Sequence, residues 1–92
     1  FFYLTECLTK ICNSMGLNKD LSQTLSIQTI IGSSELLKVT KKSPQTLRNN
    51  VTSKGGTTEA AINTLMKNKI FEEVIRNAVL AAKKRSEELS KN

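Results

Sequence analysis

Val51-Thr52-Ser53-Lys54-Gly55-Gly56-Thr57-Thr58-Glu59-Ala60-Ala61 is a glycine-rich turn that runs straight into a helix start. Ser53-Lys54-Gly55-Gly56 cannot comfortably continue a helix, because the glycine pair carries a high backbone entropy and the serine hydroxyl competes for backbone hydrogen bonds. Thr57 or Thr58 is expected to cap the helix that follows, and Glu59 in its first turn suits the positive end of the helix dipole. A turn of this kind gathers several backbone N–H groups at one helix N-terminus, where they can receive an anion. On either side of it the hydrophobic spacing is that of amphipathic helix. The stretch therefore interrupts an all-α chain at the one place where chemistry is expected.

Upstream, residues 1–15 place Phe1, Leu4, Leu8, Ile11, Cys12 and Met15 on one apolar stripe, and Gly16 is a natural helix stop. Leu17 follows as a contact beyond the stop, and Asn18 or Asp20 can cap the next helix. That second helix, 19–39, carries Leu21, Leu25, Ile27, Ile30, Ile31, Leu36, Leu37 and Val39 on more than one face, around a small patch Gly32-Ser33-Ser34. Apolar residues on several sides mean burial on several sides. The pattern suits a central helix of a monomeric bundle or a helix shared between two subunits; so short a chain lacks the mass to supply that burial alone, so the shared helix is the favoured expectation. Ser43 as N-cap and Pro44 as first helical residue predict a short helix Pro44–Asn50, anchored by Leu47 with Val51 as a second contact.

Downstream, Ala60, Ala61, Ile62, Leu65 and Met66 belong to the helix after the turn, which is expected to fray at Lys67-Asn68-Lys69. Residues 70–90 form the last helix, with Phe71, Val74, Ile75, Ala78, Val79, Ala82 and Leu89 on its apolar face. Glu72–Arg76 and Glu87–Lys91 are spaced to pair along it. No strand-like alternation and no internal repeat occurs.

With 92 residues the chain makes one small domain, and its 38% hydrophobic content with four aromatic residues allows only a thin core. A chain of this size buries only about 60–65% of its unfolded surface, so a partner subunit would help considerably. The net charge of +6 is concentrated in residues 38–54, where Lys38, Lys41, Lys42, Arg48 and Lys54 meet no acid. No aromatic residues interleave with these cations and no nucleic-acid-binding motif appears, so a solvated basic surface is the reading, without nucleic acid. Cys7 and Cys12 are five residues apart on a helix and point about 140° away from each other. An internal disulfide is not expected from that divergence, and two free thiols suit a reducing, cytosolic setting. With no histidine, zinc is not expected either. Phe1-Phe2-Tyr3-Leu4 lacks the features of a signal peptide, and no apolar run reaches the roughly 18 residues that span a membrane. The chain opens without Met in the middle of a helical pattern, which reads as a fragment.

The catalytic inventory is short. There is no histidine base, no nucleophilic triad, no G-x-G-x-x-G and no P-loop order of residues. What the turn offers is backbone N–H groups, the hydroxyls of Ser53, Thr57 and Thr58, and the Lys54 ammonium. That kit can hold a carboxylate or phosphate and donate one proton. Read on local chemistry alone, the turn is equally well a capped helix start and nothing more.

Val51-Thr-Ser-Lys-Gly-Gly-Thr-Thr-Glu-Ala-Ala-Ile-Asn-Thr-Leu65 resembles the signature V-x-S-P-G-G-T-T-x-x-A-x-x-x-L of the pyrroline-5-carboxylate reductases. Met15-Gly16-Leu17, Gln28-Thr29-Ile30-Ile31-Gly32, Ser43-Pro44, Leu47-Arg48, Asn77-Ala78-Val79 and Arg85-Ser86-Glu87-Glu88-Leu89 follow in the family's order, so the likeness runs along essentially the whole chain. It is a likeness to the family's C-terminal helical domain, without the N-terminal Rossmann domain that binds NADPH or NADH. It implies an all-α bundle of about five helices, of the 6-phosphogluconate-dehydrogenase C-terminal type, interlocked with a second copy in a homodimer. Assembly into a larger oligomer stays open. The family reduces the C=N bond of 1-pyrroline-5-carboxylate to L-proline, the last step of proline biosynthesis. Carried over by position, Ser53, Gly55, Gly56, Thr57 and Thr58 would bind the substrate's carboxylate, and Thr58 would also face the ring nitrogen as hydrogen-bond partner or proton donor. Lys54 stands where the pattern has proline, which loosens the turn and adds charge. The isolated chain is expected to be inactive. The alternative is a non-enzymatic helical interaction module whose Gly-Gly-Thr-Thr turn is only a cap.

Overall fold

The structure, a computed structural model, describes residues 1–91. It consists of α1 (Phe2–Ser14), α2 (Lys19–Thr40), α3 (Pro44–Asn50), α4 (Thr57–Met66), a 3-10 turn (Lys67–Lys69) and α5 (Ile70–Ser90), with no strand among the described residues. The chain divides into two compact units, Phe1–Leu47 and Arg48–Asn92, with the boundary inside α3.

In the first unit, α1 ends as its sequence dictates. Gly16 sits at φ 108 and donates to Asn13 O at 3.1 Å, while Leu17 N–H reaches Cys12 O at 3.3 Å. This pair of bonds satisfies the last carbonyls of α1 and turns the chain within four residues. Asn18 then caps α2 by accepting from Leu21 N–H at 2.8 Å, the first of the two residues considered for that role. The connection folds α1 back along α2. The small residues that permit their close approach are Ser22 and Ser26, the only buried residues among those described. Ser26 disposes of its hydroxyl onto Ser22 O at 2.8 Å, so a polar side chain can be buried at a helix–helix seam without an orphaned group. Gly32-Ser33-Ser34, by contrast, is exposed in the chain. An open groove of about 800 Å³ between the two helices is lined by Phe2, Cys7, Ile27, Ile30 and Ile31 among others. On α1 the Cys7 thiol, one turn from Tyr3, pushes the exposed Tyr3 phenol above its ordinary range. Cys7 and Cys12 are both free thiols.

α2 ends at Lys41, which takes the left-handed conformation at φ 56. Ser43 caps α3 by accepting from Thr46 N–H at 3.1 Å and donating to Thr46 Oγ1 at 2.8 Å. Leu47 is half-buried as expected, but Val51 is 61% exposed and is not a second anchor. The reason is local: α3 stops at Asn50, so Val51 has left the helical register that the i+4 spacing assumed.

In the second unit, α4 packs against α5 across the 3-10 turn. The change of direction is made by Asn68 and Lys69, both left-handed at φ 56 and 57. Along α5, Arg76 pairs with Glu72 and Glu73, both at 3.3 Å. The expected Glu87–Lys91 pair does not form: Glu87 meets Lys83 at 2.9 Å, because Lys91 lies past the last turn.

No hydrophobic side chain is buried among the described residues. Ile31 and Leu36 on α2 and Val74 and Val79 on α5 all remain at least half exposed. Helices with apolar residues at core spacing, left this bare, are faces made to be covered. No helix is long and apolar enough to cross a membrane.

Candidate functional site

The turn before α4 is closed by one backbone hydrogen bond, Gly56 N–H to Ser53 O at 3.0 Å. Gly55, at its third position, has φ 76. A four-residue turn with that bond, and with positive φ only at its third residue, is of type II, which is why glycine stands there. Lys54 occupies the second position, where φ near −60° is needed and proline is the residue that fixes it. The V-x-S-P-G-G pattern is thus a turn specification, and the lysine meets it without the stiffening.

Gly56 is a glycine for a different reason. Its backbone, φ −87 and ψ 176, is open to any residue. A Cβ there would lie 2.5 Å from Ser53 Oγ and 3.2 Å from Ser53 O, so the Ser53 hydroxyl occupies the space a side chain would need.

Gly56, not Thr57 or Thr58, is the N-cap of α4, and no side chain caps the helix. The threonines are already inside the helix, as its first and second residues, where their hydroxyls cannot reach back to the N–H groups that need capping. The first intrahelical bond is Ala60 N–H to Gly56 O at 3.3 Å. The N–H groups of Thr57, Thr58 and Glu59 therefore have no acceptor among the described residues, and neither do the hydroxyls of Ser53, Thr57 and Thr58. Three backbone donors and three hydroxyls stand within the seven residues Ser53–Glu59, at the positive end of a helix. Thr58 is half-buried, whereas Ser53 and Thr57 are exposed.

The glycine N–H groups are engaged inside the turn itself. Gly56 closes it, and Gly55 N–H donates to Glu59 Oε1 at 3.1 Å. The sequence reading gave Glu59 only a dipole role; its spacing of three from Gly56 was the available sign of a carboxylate reaching back over the helix start. Lys54 is exposed and takes part in no ion pair among the described residues. The α1–α2 groove contains none of the turn's residues and is mostly apolar.

Comparison with known proteins now bears on this geometry. The family described as pyrroline-5-carboxylate reductase dimerisation matches residues 1–89. The chain belongs to that family. Among curated relatives, pyrroline-5-carboxylate reductase 1 of Bacillus spizizenii is 40% identical over 90 residues, covering 98% of this chain and 30% of its own length. The pyrroline-5-carboxylate reductase of Arabidopsis thaliana is 40% identical over 91 residues, covering 99% of this chain and 33% of its own. A crystal structure of Plasmodium falciparum pyrroline carboxylate reductase with NADP bound superposes with a TM-score of 0.86 at 36% identity, over 92% of this chain and 32% of that one. The chain thus spans about a third of the length of the relatives it matches, and its fold is that of the all-α dimerisation domain.

Proposed function

We propose that this chain is the dimerisation and substrate-binding part of a pyrroline-5-carboxylate reductase, an oxidoreductase that reduces the C=N bond of 1-pyrroline-5-carboxylate to give L-proline. The observation that carries the reading is the family match along residues 1–89. The geometry of the turn agrees with it in kind. A five-membered imine acid presents one carboxylate and one ring nitrogen on adjacent positions, and the start of α4 presents anion-binding N–H groups next to hydroxyl donors.

In this reading the carboxylate lies over the N–H groups of Thr57 and Thr58, with the hydroxyls of Ser53 and Thr57 beside it. Gly55 and Gly56 contribute by shaping the turn that opens this space. Thr58, half-buried and second in the helix, faces the ring nitrogen. The nitrogen gains a proton as the C=N carbon is reduced, and a hydroxyl held there orients the ring and hydrogen-bonds the nitrogen in both states. The hydride comes from NADPH or NADH. The cofactor is assigned to a Rossmann domain of the same reductase. A second copy covers the exposed faces of α2 and α5, giving an interlocked homodimer in the cytosol.

The test is Thr58→Ala in the full-length reductase. Loss of a hydroxyl that acts in the reaction should lower kcat/KM for pyrroline carboxylate by about 10–100-fold. An unchanged kcat/KM would remove Thr58 from the site. The 92-residue chain alone should oxidise no NADPH.

A further inference from the structure

We propose that Glu59 is the positioning residue of the substrate turn, tying Gly55 to the first turn of α4 and holding the turn that Lys54 leaves loose. The inference rests on the substrate-binding reading of residues 53–58 given above.

The Ser53–Gly56 turn has two fastenings among the described residues. One is its own closing bond, Gly56 N–H to Ser53 O at 3.0 Å; the other is Gly55 N–H to Glu59 Oε1 at 3.1 Å. The first closes the turn on itself. Only the second connects the turn's tip to the helix whose N–H groups it borders. Lys54 at the second position contributes no fixed φ, and its own side chain is exposed and without an ionic partner among the described residues. Gly55 is exposed, and nothing lies within 4 Å of where a Cβ would stand. Among the described residues the tip is therefore held by one charge-assisted hydrogen bond, donated by Gly55 N–H to the Glu59 carboxylate. If that bond goes, the Ser53 hydroxyl loses its fixed distance from the N–H groups of Thr57 and Thr58, although none of those groups has itself been altered. The carboxylate also has a cost, since it shares the positive helix end with an incoming anion. The tether and the charge thus act in opposite directions on substrate binding, and substitution separates them.

The experiment uses the full-length reductase with pyrroline carboxylate as probe. Glu59→Ala should raise KM about 3–10-fold with kcat changed less than about twofold, because binding geometry is lost while Thr58 remains. Glu59→Gln keeps an acceptor for Gly55 N–H without the charge and should hold KM within about twofold of the parent or below it. Lys54→Pro, which fixes the turn through φ, should return the Glu59→Ala enzyme to within about twofold of the parent. Amide hydrogen exchange across residues 51–60 supplies a readout that does not depend on the substrate, and should be faster in Glu59→Ala and restored by Lys54→Pro. Equal KM for Glu59→Ala and parent, equal damage by Gln and Ala, or no rescue by Lys54→Pro would each overturn the proposal. Comparison with Thr58→Ala separates the two readings. If Thr58→Ala is damaging and Glu59→Ala silent, only the positioning role fails. If both are silent while exchange changes, the substrate-binding reading fails and this inference with it.

Discussion

Gly55 and Gly56 are adjacent and identical, yet alanine should fail at each for a different reason. At Gly55 the obstacle is conformational: φ is 76 and no atom lies within 4 Å of the added Cβ. An L-residue in that region costs about 1–2 kcal/mol, offset in part by about 0.4–1 kcal/mol because alanine also restricts the unfolded chain. The net is about 1 kcal/mol against the formed turn, or roughly a fivefold rise in KM where substrate binds only the formed turn. Asparagine, which tolerates left-handed backbone, should recover about half of that free energy. At Gly56 the backbone is permissive and the obstacle is Ser53, whose Oγ would lie 2.5 Å and whose carbonyl O would lie 3.2 Å from the new Cβ. The hydroxyl must rotate away, at about 0.5–1.5 kcal/mol, and the closing bond of the turn must lengthen slightly. Removing the hydroxyl first relieves the larger clash, because Ser53 Cβ is 3.8 Å away, an ordinary contact, and only the 3.2 Å approach to Ser53 O remains.

The measurement is a pair of double-mutant cycles on KM for pyrroline carboxylate in the full-length enzyme. Gly56→Ala should couple to Ser53→Ala, the double variant being little worse than Ser53→Ala alone. Gly55→Ala and Ser53→Ala should add to within about 0.5 kcal/mol, since they share no contact at the new Cβ. If Gly55→Ala coupled to Ser53→Ala as strongly as Gly56→Ala does, the separation into a conformational and a steric glycine would be refuted.

Lys69→Gly should stabilise the second unit, because a non-glycine residue at φ 57 carries about 1–2 kcal/mol of strain while glycine adds about 0.5–1 kcal/mol of backbone entropy. Denaturant unfolding should show a gain of about 0.5–1 kcal/mol, and a loss would mean that the lysine is held there by contacts worth more than the strain. The exposed apolar faces predict that the chain sediments as a dimer at micromolar concentration; a stable monomer would refute the covering partner. Ile31, 53% exposed on α2, is a suitable probe: Ile31→Lys should weaken association by about 10–100-fold, read in the same experiment.

How far the sequence could be read depended on whether the determining interaction was local. Gly16, Asn18, Ser43 and Pro44 act within one turn of themselves, and the boundaries they mark stand where they were expected. The Glu87–Lys91 spacing was also local, but two acids and four bases (Lys83, Lys84, Arg85 and Lys91) share that end of α5, and spacing does not say which partner wins. The seam between α1 and α2 was not legible, because Ser22 and Ser26 are polar in composition and become suitable for burial only once Ser26 can bond Ser22 O. The core was legible in a limited sense. Apolar residues on several faces of α2 said that it must be covered, and the single chain, with no buried hydrophobic residue among those described, does not supply the cover.

The misplaced cap carries the most functional meaning. Threonine and glycine rank about equally as caps, but only threonine offers a side-chain acceptor, so the helix after Gly56 was expected to begin with a hydroxyl accepting from its N–H groups. Such a cap would have engaged both the donors and a hydroxyl in one bond. Starting α4 at Gly56 instead costs only a few tenths of a kcal/mol relative to a good capping side chain. In return Thr57, Thr58 and Glu59 keep their N–H groups, and both threonines keep their hydroxyls, without partners among the described residues. Glu59 could have taken those donors but bonds Gly55 N–H instead, outside the helix. Any α-helix leaves its first N–H groups without an intrahelical partner, and here no side chain takes them. The carboxylate binding we propose would use these N–H groups, beside the turn that Glu59 tethers.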